Sequence, residues 1–148
     1  MKTFTRLLLA LGAILLLSPG ALLAQNEYEV SFANYTVHYN TFPSEFLEPQ
    51  VSKAVGIKRS ASRGVITIAV KQNISGNSGK SVEAAISGTA SNLIGQIRKL
   101  NMTEVKDGEV VYYVGDFPVA RNETLTFNVS VLPAGDAQRQ EFKFTRKF

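Results

Sequence analysis

The chain has 148 residues, with 16 Lys and Arg against 12 Asp and Glu, a formal net charge of +4 and no cysteine. The missing cysteines exclude disulfide staples, thiolate metal sites and lipid attachment to a cysteine, so stability has to come from packing. A charge this small does not call for nucleic acid, because a phosphate-backbone partner needs a strongly basic face.

The first element is an export signal. Lys2 and Arg6 precede an uncharged apolar run from Leu7 to Leu17, Ser18-Pro19-Gly20 breaks it, and Leu22-Leu23-Ala24 offers a small residue for cleavage. That order reads as a secretory signal peptide over residues 1–24, and the run is too short to span a membrane. Its removal leaves one domain of 124 residues, 25–148, with 14 Lys and Arg against 12 Asp and Glu. A cysteine-free exported domain suits a bacterial periplasm better than eukaryotic secretion. Asn34, Asn73, Asn101, Asn122 and Asn128 each head an Asn-x-Ser/Thr triplet. Ser and Thr are common on solvated strand faces, so composition accounts for these triplets without glycans.

Further along, the dominant signal has a period of two. Strands are expected at 27–33 and 35–41. Residues 43–57 lose the alternation. Pro49 there suits a first helical position, Val51, Ala54 and Val55 share helical spacing, and Gly56 is a natural stop. This predicts a short helix closing one end of the domain, with Ser44 capping a turn before it. Val65 to Val70 is more uniformly apolar and reads as a central strand within 64–72. Gly76-Asn77-Ser78-Gly79 is expected to close a hairpin onto a strand at 82–90. Gly95 marks a corner before a strand at 96–105. Asp107-Gly108 signals a tight hairpin onto Val110–Val114. Leu125, Phe127, Val129 and Val131 alternate with polar residues, as do Phe142 and Phe144, and Pro133-Ala134-Gly135-Asp136 joins those two strands.

The predicted fold class is therefore all-β, an antiparallel immunoglobulin-like sandwich of about eight strands with one short helical crossover near residues 44–56. An outer-membrane barrel is the rival. Short polar strands, the absence of Trp and Arg146 near the C-terminus oppose it.

Catalytic and metal chemistry find little to work with. One His and no Cys make a zinc or copper site unexpected, and no cofactor is predicted. No Gly-x-Ser-x-Gly elbow, phosphate loop or dinucleotide fingerprint is present. Binding features stand out more. Tyr35, Val37 and Tyr39 share one strand face, which sends His38 and Asn40 to the other, beside the irregular segment. Lys53, Lys58, Arg59 and Arg63 form a basic stretch suited to anionic lipid, lipopolysaccharide or an acidic partner. Gln96 follows the Gly95 corner. His38, Asn40, Lys58, Arg59 and Gln96 are the candidate binding surface of a non-enzymatic module for an envelope protein or an anionic envelope component. Two alternatives are a chaperone-like or structural module pairing through the open edge of strand 139–147, and a small hydrolase using His38.

The run Phe32-Ala33-Asn34-Tyr35-Thr36-Val37-His38-Tyr39-Asn40-Thr41-Phe42, followed by Ser44-Glu45-Phe46-Leu47, resembles the opening of a family of small exported proteins from Pseudomonas-like and Vibrio-like bacteria. That family is known as a domain of unknown function. The resemblance continues through Gly56–Ser60, Arg63-Gly64-Val65, Asn92–Gln96, Val111-Tyr112-Tyr113 and Asp116–Val119. It implies a Gram-negative periplasmic location and a β-sandwich, and it brings no catalytic residues.

Overall fold

The computed structural model describes residues 28–74 and 77–148, and the expected leader lies outside them. Nine strands and two short helical segments are formed among these residues: β1 (Glu29–Ser31), β2 (Tyr35–Pro43), a 3-10 turn (Ser44–Phe46), α1 (Pro49–Val55), β3 (Arg63–Ile74), β4 (Asn77–Ser81), β5 (Ala84–Asn92), β6 (Ile97–Asp107), β7 (Val110–Pro118), β8 (Thr124–Pro133) and β9 (Gln140–Lys147). All pairings are antiparallel, in the order β1-β2-β3-β7-β6-β5-β8-β9, with β4 added to the end of β3. β6 belongs to both sheets. Its residues 101–107 pair with β7, while Ile97 to Leu100 pair with β5. The ladder thus folds over on β6 into a two-layer all-β sandwich.

The main core follows from the period-two pattern. Leu125, Phe127, Val129 and Val131 of β8 face Val37, Ile66, Ile68 and Val70 of the opposite sheet, and all eight are buried. Where the sheets part, Tyr39 of β2 packs on Phe142 and Phe144 of β9, with ring centroids 5.1 and 4.4 Å away. No helix of the described residues is long and apolar enough to cross a membrane.

The mostly apolar character of Val65–Val70 has a specific cause. At its start β3 is buried on both faces. Ile66, Ile68 and Val70 enter the main core, while Val65, with Val114 of β7, enters a second core formed with Leu47 and Ile57 and flanked by Val51 and Val55 of α1. The helix is therefore where its sequence signals put it, with Pro49 in its first turn and Gly56 at its C-terminal cap. It lies on the outer face of the β2–β3–β7 sheet rather than closing an end of the sandwich. The outward-pointing Val65 and Val114 need cover, and Val51 and Val55 supply it.

Two other expectations are corrected. β3 forms its hairpin with the short β4, and the apex at 75–76 lies outside the described residues. The following strand, β5, changes sheet. Val82 still donates its N–H to Val70 O at 2.9 Å, and from Ala84 onward the chain pairs with β8. There its small inward residues Gly88 and Ala90 stand opposite Val129 and Phe127. A methyl group at Gly88 would press on Asn128 O and Leu100 Cδ1. Ser44 does not cap the turn: it is the first residue of the 3-10 segment, and no side-chain cap hydrogen bond is formed there. Its fully buried hydroxyl lies 2.9 Å from Lys58 O and 3.0 Å from Ser60 O, and it accepts the Ser60 N–H at 2.9 Å. It pins the end of the crossover to its start. Ser44→Ala is expected to lower stability by about 1–2 kcal/mol, because a buried N–H and a carbonyl lose their partner. Urea unfolding checks this, and an unchanged midpoint would mean that water replaces the hydroxyl.

Candidate functional site

The five candidate residues divide between two depressions and a clamp. His38 and Asn40 project from β2 on the outer face of its sheet, in register with Ala69 and Thr67 of β3. With Tyr28 and Tyr112 they line a shallow depression. His38 Nδ1 is 3.5 Å from Glu29 Oε2, an ion pair when the imidazole is protonated, and Asn40 Oδ1 accepts the Thr41 N–H at 2.8 Å. No serine or cysteine lines this depression among the described residues. Arg59 is engaged elsewhere, donating from Nε and Nη2 to Glu45 O at 3.2 and 2.8 Å. It ties the crossover together and lines neither depression.

Lys58 and Gln96 do meet. They share a cleft of about 700 Å³ whose walls include Ser60, Ser62, Arg63, Arg98 and Glu123. Three chain segments build it: the stretch from α1 into β3, the start of β6, and the loop between β7 and β8. The electrostatics are uneven. Arg63 is paired with Asp116. Arg98 Nη2 is 2.8 Å from Glu123 Oε1, which also accepts Asn92 Nδ2 at 3.0 Å. Glu123 Oε2 accepts the Ala120 N–H at 2.8 Å. That backbone donor foremost, with Arg98 and Asn92, holds the Glu123 carboxyl below the ordinary glutamate range against the upward push of burial. Both oxygens of the acid are thus occupied within the protein. The donors are less satisfied. Lys58 has no carboxylate within ion-pair distance among the described residues, and Arg98 Nη1 is buried without a protein partner. A donor-rich cleft whose one wall carboxylate is already saturated favours an anion.

Arg98, Glu123, Ser60 and Ser62 escaped the sequence reading. Arg98 and Glu123 stand 25 residues apart, and only the strand order brings them together. Glu29, in contrast, could have been found. It sits across a short hairpin from His38.

At the opposite end of β6, Tyr113 Oη accepts the Ala84 N–H at 2.7 Å and donates to Glu104 Oε2 at 2.9 Å. That hydrogen bond, with one from Lys106, lowers the Glu104 pKa, while burial raises that of Tyr113. These contacts fasten the sheet crossing at Ala84. Among the described residues, no three His, Cys, Asp or Glu gather into a group that could hold a metal ion.

Comparison with known proteins places this architecture. Residues 29–148 match the family model described as a domain of unknown function, DUF4426. The crystal structure of a DUF4426 family protein from Pseudomonas aeruginosa PAO1 is 36% identical and has a TM-score of 0.72, covering 81% of this chain and 92% of that one. FetP of uropathogenic Escherichia coli strain F11 superposes with a TM-score of 0.58 at 10% identity, over 81% of this chain and 91% of that one. A copper-bound variant of the same FetP gives 0.57 at 10% identity, over 81% and 88%. At that identity the likeness to FetP is one of fold. No curated protein matches the chain. The chain belongs to the DUF4426 family.

Proposed function

We propose that this chain is a non-enzymatic binding module of the bacterial periplasm, accessory to an envelope component whose anionic group seats in the cleft at Lys58, Gln96 and Arg98. The observation that carries this reading is two unspent donors on one cleft: Lys58, without a counter-ion among the described residues, and Arg98, whose buried Nη1 has no partner. A buried guanidinium donor left unsatisfied is costly, and since Nη1 is closed to solvent an anion reaches it only when the Arg98 side chain turns toward the cleft that it lines. The export signal supports the compartment, and the absence of a serine or cysteine beside His38 weighs against the hydrolase.

The test uses glucosamine phosphate and inorganic phosphate as soluble probes, titrated by calorimetry. Saturable binding is expected, weakened at least tenfold in Lys58→Glu and reduced by salt. Binding indifferent to Lys58→Glu would overturn the cleft. In the living cell, a photo-reactive residue at position 58 is expected to give an envelope adduct.

A second reading has one observation in its favour. β9 is the last strand in the order, so one of its edges is open to a further strand among the described residues. On that strand Arg146 donates to Tyr28 Oη at 2.6 Å and lies over its ring, while Lys143 and Lys147 are exposed. Adducts from a probe at position 143, with none at 58, would favour strand addition.

A further inference from the structure

Three large aliphatic side chains stand in water at one place. Leu93, Ile94 and Ile97, at the turn between β5 and β6, are 84%, 80% and 71% exposed. Single exposed aliphatics need no explanation, but three within five residues at the apex of a turn do. We propose that this turn is an insertion tip that seats the protein on a bilayer of anionic phospholipid.

The tip is held rigid. Asn92 donates its N–H to Gln96 O at 3.1 Å, and Gly95 donates to Asn92 O at 3.0 Å. The Asn92 side chain closes the turn a second time, accepting Gln96 N–H at 2.9 Å and donating to Gln96 Oε1 at 2.8 Å. Gly95 has φ +84°, and a Cβ there would meet nothing within 4 Å, so glycine is present for the backbone rather than for space. The aliphatics are thus presented by a braced turn, and little ordering entropy opposes their burial.

The shape and the charge select the occupant. Leu93 and Ile94, consecutive at the apex, line none of the grooves described, and only Ile97 behind them borders one. An apolar phase that receives a convex tip without a matching cavity is the hydrocarbon edge of a bilayer. Two cations stand near the tip. Lys58 shares the cleft with Gln96 on one side, and Lys99 shares the groove with Ile97 on the other. Lysines beside an inserted apolar segment favour anionic headgroups. The inference names the class of the proposed envelope component and takes only the contribution of Lys58 from that reading. The aliphatics carry it independently.

The chain contains no Trp, so Ile94→Trp places a single indole at the apex. The exported protein, its mass showing loss of the leader, is mixed with vesicles of phosphatidylcholine alone or with phosphatidylglycerol. Sedimentation with the anionic vesicles is expected, with a blue shift of the indole emission. Leu93→Ser with Ile94→Ser should reduce sedimentation at least tenfold while the circular dichroism stays unchanged, since neither side chain supports the core. Sedimentation equal to that of the unmodified protein, or sedimentation without a blue shift, would overturn the tip. Absence of binding to all vesicles would also overturn it and point to a protein partner. The soluble-phosphate titration reports on the cleft without the tip, so the two readings fail separately.

Discussion

Phe127→Ala is expected to cost about 4 kcal/mol, within the range for truncating a buried Phe whose cavity cannot collapse. Phe127 is fully buried on β8, which lies between β5 and β9. Its ring stacks on Phe144 at 4.7 Å with an interplanar angle of 8°, and meets the edge of Phe117 at 5.1 Å. Phe117 and Phe144 come from opposite sheets, so the ring joins the two layers as well as filling space. The neighbours cannot close over the gap, because each is fixed in its own strand register. A domain of this size has only about 5–15 kcal/mol of stability to lose. The urea midpoint should therefore fall steeply with an unchanged slope. A loss below about 1 kcal/mol would show that the cavity is relieved by collapse and that the aromatic cluster does not hold the layers together.

The parts of this fold that depend on local pattern could be read in the sequence. Alternation from Leu125 to Val131 and at Phe142 and Phe144 marks strands because each buries one face. Pro49 and Gly56 bracket the helix because each suits one end and disfavours the interior. What depends on pairing between distant segments could not be read. The Gly-rich turn after β3 signalled a hairpin, but nothing local says that its second strand stops at Ser81 and that β5 changes sheet. Ser44 has the composition of a cap, yet its partners lie 14 and 16 residues away. The candidate site divides the same way. Lys58 and Gln96 drew attention through a basic stretch and a broken alternation. Arg98 and Glu123 did not, because an isolated cation and acid acquire meaning only when strand order joins them. Arg59 shows the converse, since an exposed cation can be engaged by a backbone carbonyl that its local sequence does not reveal.

Glu123→Ala is expected to lower stability by about 2–3 kcal/mol near neutral pH, and the loss should depend on pH. The carboxylate receives Ala120 N–H, Arg98 Nη2 and Asn92 Nδ2, and the side chains of Arg98 and Glu123 are only 19% and 14% exposed. Removing one member of a largely buried pair strands the other, which sets the size of the effect below that of a fully buried ion pair. The sign follows from the shift. The folded carboxyl titrates below its unfolded value, so its contribution is complete above the ordinary glutamate range and is lost as pH falls through the folded value. The gap between the wild-type protein and Glu123→Ala should therefore be widest near neutral pH and should close as the pH falls below the ordinary glutamate range. Urea unfolding across that range measures it, and a gap that stays constant would assign the stabilisation to packing rather than to the ionised carboxylate. Because the same carboxylate grips Asn92, the variant should also speed amide exchange at residues 92–96. Faster exchange there with the cleft still binding phosphate would mean that Glu123 braces the apolar tip more than it shapes the anion site. Loss of phosphate binding as well would mean that one acid positions both surfaces.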